Sequence, residues 1–220
     1  MDEVKERTTK NVVPKGAIML TRYEALTHQW NVVSDWKSQK DVWPLVHGCG
    51  ILGIAAGLSG TYINYWFRQK LKARNIAVLP TMMMSALAPA LLTGLFQSQM
   101  VMNKILLLEE PCPLCLQFKS ALIQMSTGTL VPMIISPMVN FAFIGSNVHN
   151  VPYATEGKKV LAVTQLIYRS LMPRLTSVLI FQMLFGGYMT YLQTKYFLRL
   201  QDILYLLERE ERKKEMHVKY

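Results

Sequence analysis

Long apolar stretches alternate with short charged segments along this chain of 220 residues. Four windows contain no aspartate, glutamate, lysine or arginine, and they cover residues 42–67, 75–103, 120–155 and 175–194. Each window reaches the length of about 20 residues that an α-helix needs to cross a hydrocarbon core roughly 30 Å thick. The pattern therefore predicts an all-α, polytopic membrane protein with four transmembrane helices in one bundle.

The same pattern divides the chain into three regions. Residues 1–42 form a polar N-terminal tail, residues 43–194 hold the four spans, and residues 195–220 form a charged tail that continues the last helix. Within the first tail, residues 23–40 carry apolar side chains three to four positions apart, which is typical of an amphipathic helix. Such a helix either lies at the membrane interface or packs against the protein itself.

The predicted spans cover residues 43–67, 76–102, 116–144 and 175–194. We interpret residues 145–174 as a loop that contains a short amphipathic stretch over residues 160–172. Pro132 and Pro137 both lie in span three. We expect one of them to kink that helix, because proline removes a backbone hydrogen bond and clashes with the preceding turn.

Composition and charge agree with a membrane protein. Only 17% of the residues are charged, against about 25% in soluble domains, and the mean hydropathy is +0.18. The net charge is +10, but the basic residues lie in short segments between the spans, which does not favour binding of nucleic acid. The segment after span one has no acidic residue and carries Arg68, Lys70, Lys72 and Arg74. Because basic loops stay on the inner side of a membrane, residues 67–75 and 145–174 are predicted to face inside and both termini outside.

A row of small residues marks one face of span one. Gly53, Ala56, Gly57 and Gly60 follow the spacing that lets two helix backbones approach each other closely. This small-residue face either packs against another helix of the same chain or docks a helix of another membrane protein.

The motif Cys112-Pro-Leu-Cys115 opens span three. Such a pair forms a disulfide, exchanges thiols, or supplies half of a four-ligand metal site. No other cysteine or histidine is spaced as a partner, so we predict no metal site. The motif is locally similar to bacterial disulfide-bond formation protein B and to vitamin K epoxide reductase, but those enzymes relay electrons through a second cysteine pair that this chain lacks. A structural disulfide or a clamp at the helix start is therefore favoured over catalysis.

No other motif indicates catalysis. The chain has no phosphate-binding loop, no HExxH motif and no GxSxG motif. The uncharged windows also lack the carboxylates that proton or cation transport usually needs. We therefore expect a protein that is not an enzyme and that has no cofactor. The alternatives are a membrane thiol–disulfide oxidoreductase that uses Cys112 and Cys115, or a small carrier.

Several features occur in a fixed order over residues 45–205. They are Lys72-Ala-Arg74 followed by Leu79-Pro80, the pair Cys112 and Cys115, then Gly128, Pro132, Pro137 and Asn140 in span three, and Gln182, Phe185 and Tyr188 in span four. This ordered set resembles the transmembrane protein 126 family of the mitochondrial inner membrane. The resemblance implies a non-catalytic assembly factor or scaffold for respiratory complex I (NADH:ubiquinone oxidoreductase). Its implied partners are membrane-arm subunits or other assembly factors, within the lipid bilayer.

The resemblance also assigns compartments to the predicted orientation. The basic segment with Arg68, Lys70, Lys72 and Arg74 then faces the matrix, and both termini face the intermembrane space. The loop before span three faces the same oxidising side, where we expect a disulfide between its two cysteines. The chain holds 14 methionines, three of them at 82–84, and their flexible side chains suit a surface that packs against different helices.

Overall fold

Five helices make up the part of the chain that is described by the computed structural model, which is residues 20–73, 76–144 and 157–218. They are α1 (Arg22–Ser34), α2 (Gln39–Leu71), α3 (Val78–Leu106), α4 (Pro113–Ile144) and α5 (Gly157–Val218). The last four are each long and apolar enough to cross a bilayer, and they pack together. The predicted all-α bundle of four spans is therefore confirmed.

Local sequence signals set where the helices begin and end. Thr21 caps α1 in a capping box, in which its own N–H donates to the Glu24 carboxylate at 2.8 Å. Cys112 is the N-cap of α4, and Pro113 follows at the first helical turn, where a missing N–H costs no hydrogen bond. α2 ends where Lys72 adopts a left-handed conformation with a φ of 54°.

The last helix is much longer than the predicted fourth span. α5 runs without interruption from Gly157 to Val218, so the interpretation of residues 145–174 as a loop is wrong from residue 157 onward. Residues 160–172 are one part of this helix and not a separate stretch. The charged residues on either side of the predicted fourth span mark the edges of the apolar region. The helix itself continues beyond these edges. Residues 145–156 lie outside the described ranges, and the predicted continuation of α5 into the C-terminal tail is confirmed as far as Val218.

Two π-helical segments interrupt the middle spans, at Ser98–Met102 in α3 and Ser126–Leu130 in α4. Backbone hydrogen bonds in a π-helical turn join residues five positions apart, against four in an α-helix, so the extra residue forms a local bulge. The bulge in α4 lies directly before Pro132, which has no N–H to donate to that turn. The irregularity of span three is therefore on the N-terminal side of Pro132, and a kink at Pro132 or Pro137 stays a prediction.

Apolar clusters lie at both ends of the bundle. One cluster joins α1 to the spans and contains Val33, Val42, Leu45, Val101, Met102, Ile105, Leu106, Leu116, Phe197 and Leu200. The other lies at the opposite end and contains Ile63, Phe67, Ala73, Phe141, Ile144, Ile167, Leu171 and Leu175. Because Val33 is fully buried in the first cluster, α1 packs against the protein, which is one of the two positions considered for it. An ion pair of 2.7 Å between Arg22 Nε and Glu109 Oε1 also ties α1 to the loop before α4.

Candidate functional site

Buried polar side chains connect the four spans through the interior of the bundle. We call this set the polar ladder. Its members are Ser59, Asn64, Arg68, Thr81, Thr93, Gln97, Ser120, Gln124, Thr127, Asn140 and Gln182. Each is less than 9% exposed and makes a hydrogen bond to another helix or to the α2–α3 connection.

Two glutamines form the centre of the polar ladder. The Gln124 amide nitrogen donates to Gln182 Oε1 at 2.7 Å and to the Leu52 carbonyl at 3.0 Å. The Gln182 amide nitrogen in turn donates to the Ala55 carbonyl at 3.1 Å and to the Ser59 hydroxyl. These bonds join α2, α4 and α5. Interhelical hydrogen bonds in membranes contribute on average about 0.6 kcal/mol each, so the set fixes the relative register of the helices more than it adds stability.

A second group of bonds joins α3 to α4 and α5. The Thr93 hydroxyl donates to Thr127 Oγ1 at 2.7 Å. About one turn further along α3, the Gln97 amide donates to Ser120 Oγ at 2.9 Å. The Ser120 hydroxyl lies 3.1 Å from the Gly186 carbonyl of α5. Gln97 is 1% exposed, so its amide is paired inside the protein and not with solvent.

Arg68 lies at one end of the polar ladder, where it corrects a prediction. The prediction that Arg68 lies in an exposed basic loop is wrong, because α2 extends past Arg68 and the residue is only 6% exposed. The guanidinium donates to Thr81 Oγ1 at 2.9 Å, to Asn140 Oδ1 at 3.0 Å and to the Ile76 carbonyl at 2.6 Å. Asn140 also donates to Asn64 Oδ1 at 2.6 Å. Arg68 therefore joins α2, α3, α4 and the connection between α2 and α3.

The other residues of the predicted basic segment differ from Arg68. Lys70 and Lys72 are exposed at the end of α2, as expected of a basic loop. Arg74 lies outside the described residues. The orientation of this end toward the matrix stays a prediction.

The small-residue face of α2 lies against α3 of the same chain. A Cβ atom built on Gly53 would be 3.0 Å from the Ala90 carbonyl oxygen, and one on Gly57 would be 2.9 Å from the Ala86 carbonyl oxygen. At Gly60 the corresponding distance to the Ser85 carbonyl oxygen is 2.0 Å. Ala56 of the same face is fully buried. The face thus serves close packing between two helices of one chain.

The Cys112–Cys115 motif lies at the end of the bundle opposite to Arg68. All three cysteines of the chain are free thiols in the structure, so the disulfide that we expect is not formed there. The Cys112 sulfur accepts a hydrogen bond from the Cys115 backbone N–H at 3.3 Å, as an N-cap does. The hydrogen bond from the Cys115 thiol, and then that from the backbone N–H, lower the pKa of the Cys112 thiol.

Charged side chains brace the loop that carries this motif. Glu110 accepts from Lys104 and, at 3.2 Å, from Lys119. These two bonds lower the pKa of the Glu110 carboxyl below its ordinary value, so the carboxylate persists to a lower pH than that of an unpaired glutamate. The loop is therefore held between the end of α3 and the first turns of α4.

Cys112 is expected to react with an alkylating agent faster than an ordinary thiol at neutral pH, because a lowered pKa increases its thiolate fraction. Cys115→Ala removes the principal cause of that shift, so the pH profile of Cys112 alkylation should move to higher pH. Mass spectrometry of the reduced protein, alkylated at several pH values, measures the profile. An unchanged profile would contradict the role of Cys115.

The expected disulfide needs a separate measurement in intact membranes. Alkylation directly after quenching, with and without reductant, distinguishes the two states of Cys112 and Cys115. Labelling that requires reductant is the expected result, whereas labelling of both thiols without it would exclude the disulfide. It would also argue against placing this loop on the oxidising side.

The predicted candidates do not form one site. The cysteine motif and Arg68 lie at opposite ends of α4, and its rise per residue separates Cys112 from Asn140 by roughly 40 Å. The small-residue face lies between these ends. In the described part of the chain, no group of three or more His, Cys, Asp or Glu side chains could hold a metal ion.

Sequence reasoning missed most of the polar ladder. The sequence indicates that Asn140 needs a polar partner or the interface, and Gln182 stands out only through the family resemblance, while Gln97, Ser120 and Gln124 are not singled out. A detectable signal does exist, because an amide inside an uncharged window must find a partner within the bundle. The identity of that partner depends on how the helices pack, which the pattern along one chain does not give.

These features define a polytopic α-helical membrane protein whose spans are fixed by close backbone packing and by interhelical hydrogen bonds. The chain matches the family described as Transmembrane protein 126 (TMEM126) over residues 25–204. It is also 30% identical over 212 residues to a Drosophila melanogaster protein named Transmembrane protein 126, covering 93% of this chain and 95% of that protein. The chain therefore belongs to the TMEM126 family, and no solved structure matches it.

Proposed function

We propose that this TMEM126 protein is a non-catalytic assembly factor for respiratory complex I in the mitochondrial inner membrane. The observation that carries the proposal is the family match over residues 25–204, which includes most of the described bundle. The role in complex I assembly comes from the family resemblance described for the sequence. Membrane-arm subunits and other assembly factors are the proposed partners.

The surface of α3 supports this proposal. The most apolar window of α3 is 22% buried within the bundle, against 28% for α5, 44% for α2 and 50% for α4. Its outer side carries a row of large apolar side chains four positions apart, at Leu79, Met83, Leu87, Leu91 and Leu95. We call this row the α3 face. It follows the helix through the membrane and suits packing against the helix of an incomplete membrane-arm subunit, because its side chains are large, apolar and exposed and the flexible Met83 adapts its shape readily.

Removal of the protein tests the proposed function. Cells that lack it should lose most of their assembled complex I and accumulate incomplete membrane-arm intermediates, as resolved by native electrophoresis. The wild-type protein should restore assembly and should co-purify with membrane-arm subunits after mild detergent extraction. Normal complex I in the absence of the protein would refute the proposal.

A pair of matched variants tests the α3 face. Met83→Ala with Leu87→Ala removes two side chains that are each 51% exposed. The control, Ile180→Ala with Leu184→Ala, removes two side chains at the same spacing on the exposed side of α5. The α3 variant should fold but lose the co-purified subunits, while the control should retain them. Equal co-purification by both variants would exclude the α3 face as the contact.

The double variant Cys112→Ser, Cys115→Ser separates a scaffold from a thiol oxidoreductase. A scaffold should still restore complex I assembly, with a modest loss of stability because the loop loses at most a short cross-link. An oxidoreductase would lose its function completely. Failure of a well-folded double variant to restore assembly would therefore favour the thiol chemistry.

A further inference from the structure

An open apolar groove runs between α2 and α5 on the outside of the bundle. It has a volume of about 540 Å³ and is lined by Ala55, Leu58, Ser59, Tyr62, Arg174, Ser177, Val178 and Phe181. Arg174 is the one charged side chain in this lining. Ser59 already donates to the Ala55 carbonyl and accepts from Gln182. The end of the groove near Ala55 therefore offers few polar partners to a ligand.

The groove and the aromatic residue next to it lie within the depth of one leaflet of a bilayer. Along α2 the lining extends from Ala55 to Tyr62, roughly 10 Å, and Trp66 lies one turn beyond it, beside Arg174. The rise of an α-helix places Trp66 roughly 16 Å from Ala55. Half of a hydrocarbon core about 30 Å thick is about 15 Å. An acyl chain that enters at the level of Trp66 would therefore end near the middle of the membrane.

The end of the groove at Arg174 is suited to binding an anion. The guanidinium carbon of Arg174 lies 3.7 Å from the centre of the Trp66 ring, which places the cation over the aromatic face. Stacking on a ring leaves the in-plane N–H groups of arginine able to bind a phosphate. Within the described residues, no carboxylate forms an ion pair with Arg174. Trp66 also packs against Tyr62 and Tyr65, as aromatic residues do at the membrane interface.

We propose that this groove is a binding site for an anionic phospholipid. One acyl chain lies along Leu58, Val178 and Phe181, and Arg174 holds the phosphate at the headgroup level. The lipid belongs to the leaflet on the side of the α2–α3 connection. Charge and depth together select this occupant, because a basic residue at the mouth of an interhelical groove recognises lipid phosphate.

Retention of defined lipids by the full-length protein tests the site. The protein is purified in mild detergent, mixed with phosphatidylglycerol or with phosphatidylcholine of the same acyl chains, and analysed by native mass spectrometry. The wild type should retain phosphatidylglycerol about fivefold more than phosphatidylcholine, the preference that one membrane-surface cation provides. Arg174→Gln should abolish this preference. Arg169→Gln is the matched control, because Arg169 is exposed on the same helix but does not line the groove.

A second pair of variants tests the groove without changing its charge. Ser177→Phe places a ring in the groove and should reduce the retention of both lipids. Thr176→Phe is its control, because Thr176 is an exposed neighbour that bonds only to the Met172 carbonyl and does not line the groove. Glycerol 3-phosphate should fail to displace the lipid, since it has no acyl chain. Equal retention of the two lipids by the wild type, unchanged retention by Arg174→Gln, or displacement by glycerol 3-phosphate would each overturn the proposal.

Discussion

Gly60→Ala is expected to lower the free energy of unfolding by about 1–3 kcal/mol, the usual cost of overpacking a tight interface. The added Cβ would lie 2.0 Å from the Ser85 carbonyl oxygen and 3.0 Å from the Pro89 ring. A backbone carbonyl cannot rotate away as a side chain does, so α2 and α3 must separate. The separation would also weaken the contacts at Gly53 and Gly57, which meet the same helix.

Gly50→Ala is the matched control for this prediction. Gly50 lies on the same helix, and a Cβ there meets no atom within 4 Å. Alanine is favoured over glycine in a helix interior by about 1 kcal/mol, and this gain applies to both variants. Gly50→Ala should therefore be neutral or slightly stabilising when both proteins are unfolded in mixed micelles. Equal stability of the two variants would show that α2 and α3 are not packed as described.

Arg68→Met is expected to cost about 2–4 kcal/mol, because it removes several charge-assisted hydrogen bonds and leaves buried acceptors without a donor. The acceptors are Thr81 Oγ1, Asn140 Oδ1 and the Ile76 carbonyl. Methionine keeps most of the apolar packing of the side-chain stem. The loss should therefore report mainly on the hydrogen bonds of the guanidinium.

Lys70→Met provides the comparison for Arg68→Met. Lys70 has the same charge and lies two residues further along α2, but its side chain is exposed. Its replacement should change stability little. Arg68→Lys should fall between the two, because a single ammonium group does not have the forked donors that reach acceptors on different helices. The buried role of Arg68 would be refuted if Arg68→Met and Lys70→Met were equally stable.

The four spans could be predicted from the sequence because the membrane imposes a simple condition. An apolar window of sufficient length must form a helix in lipid, since no water satisfies its backbone groups. The ends were harder to predict. The charges from Lys158 to Arg174 precede the uncharged window of span four, yet α5 already contains them. A hydropathy pattern locates the edge of the hydrocarbon and says little about where a helix stops.

The contacts inside the bundle follow from packing that one sequence does not encode locally. The spacing of Gly53, Gly57 and Gly60 indicates a close approach of two backbones, but α3 as the partner comes from the fold. Arg68 reads as a loop residue because it ends an uncharged window. It is buried because Asn64 lies one turn before it on α2, and Asn140 and Thr81 face the same position from two other helices.

The length of α5 gives the molecule a mechanical property. Its 62 residues extend for roughly 90 Å, about three times the thickness of the hydrocarbon core. Pro173 lies inside this helix between Gly157 and Gln182, and it removes one backbone hydrogen bond there. We therefore expect α5 to bend most easily near Pro173, so that a tilt of its C-terminal part is not carried rigidly to Gly157.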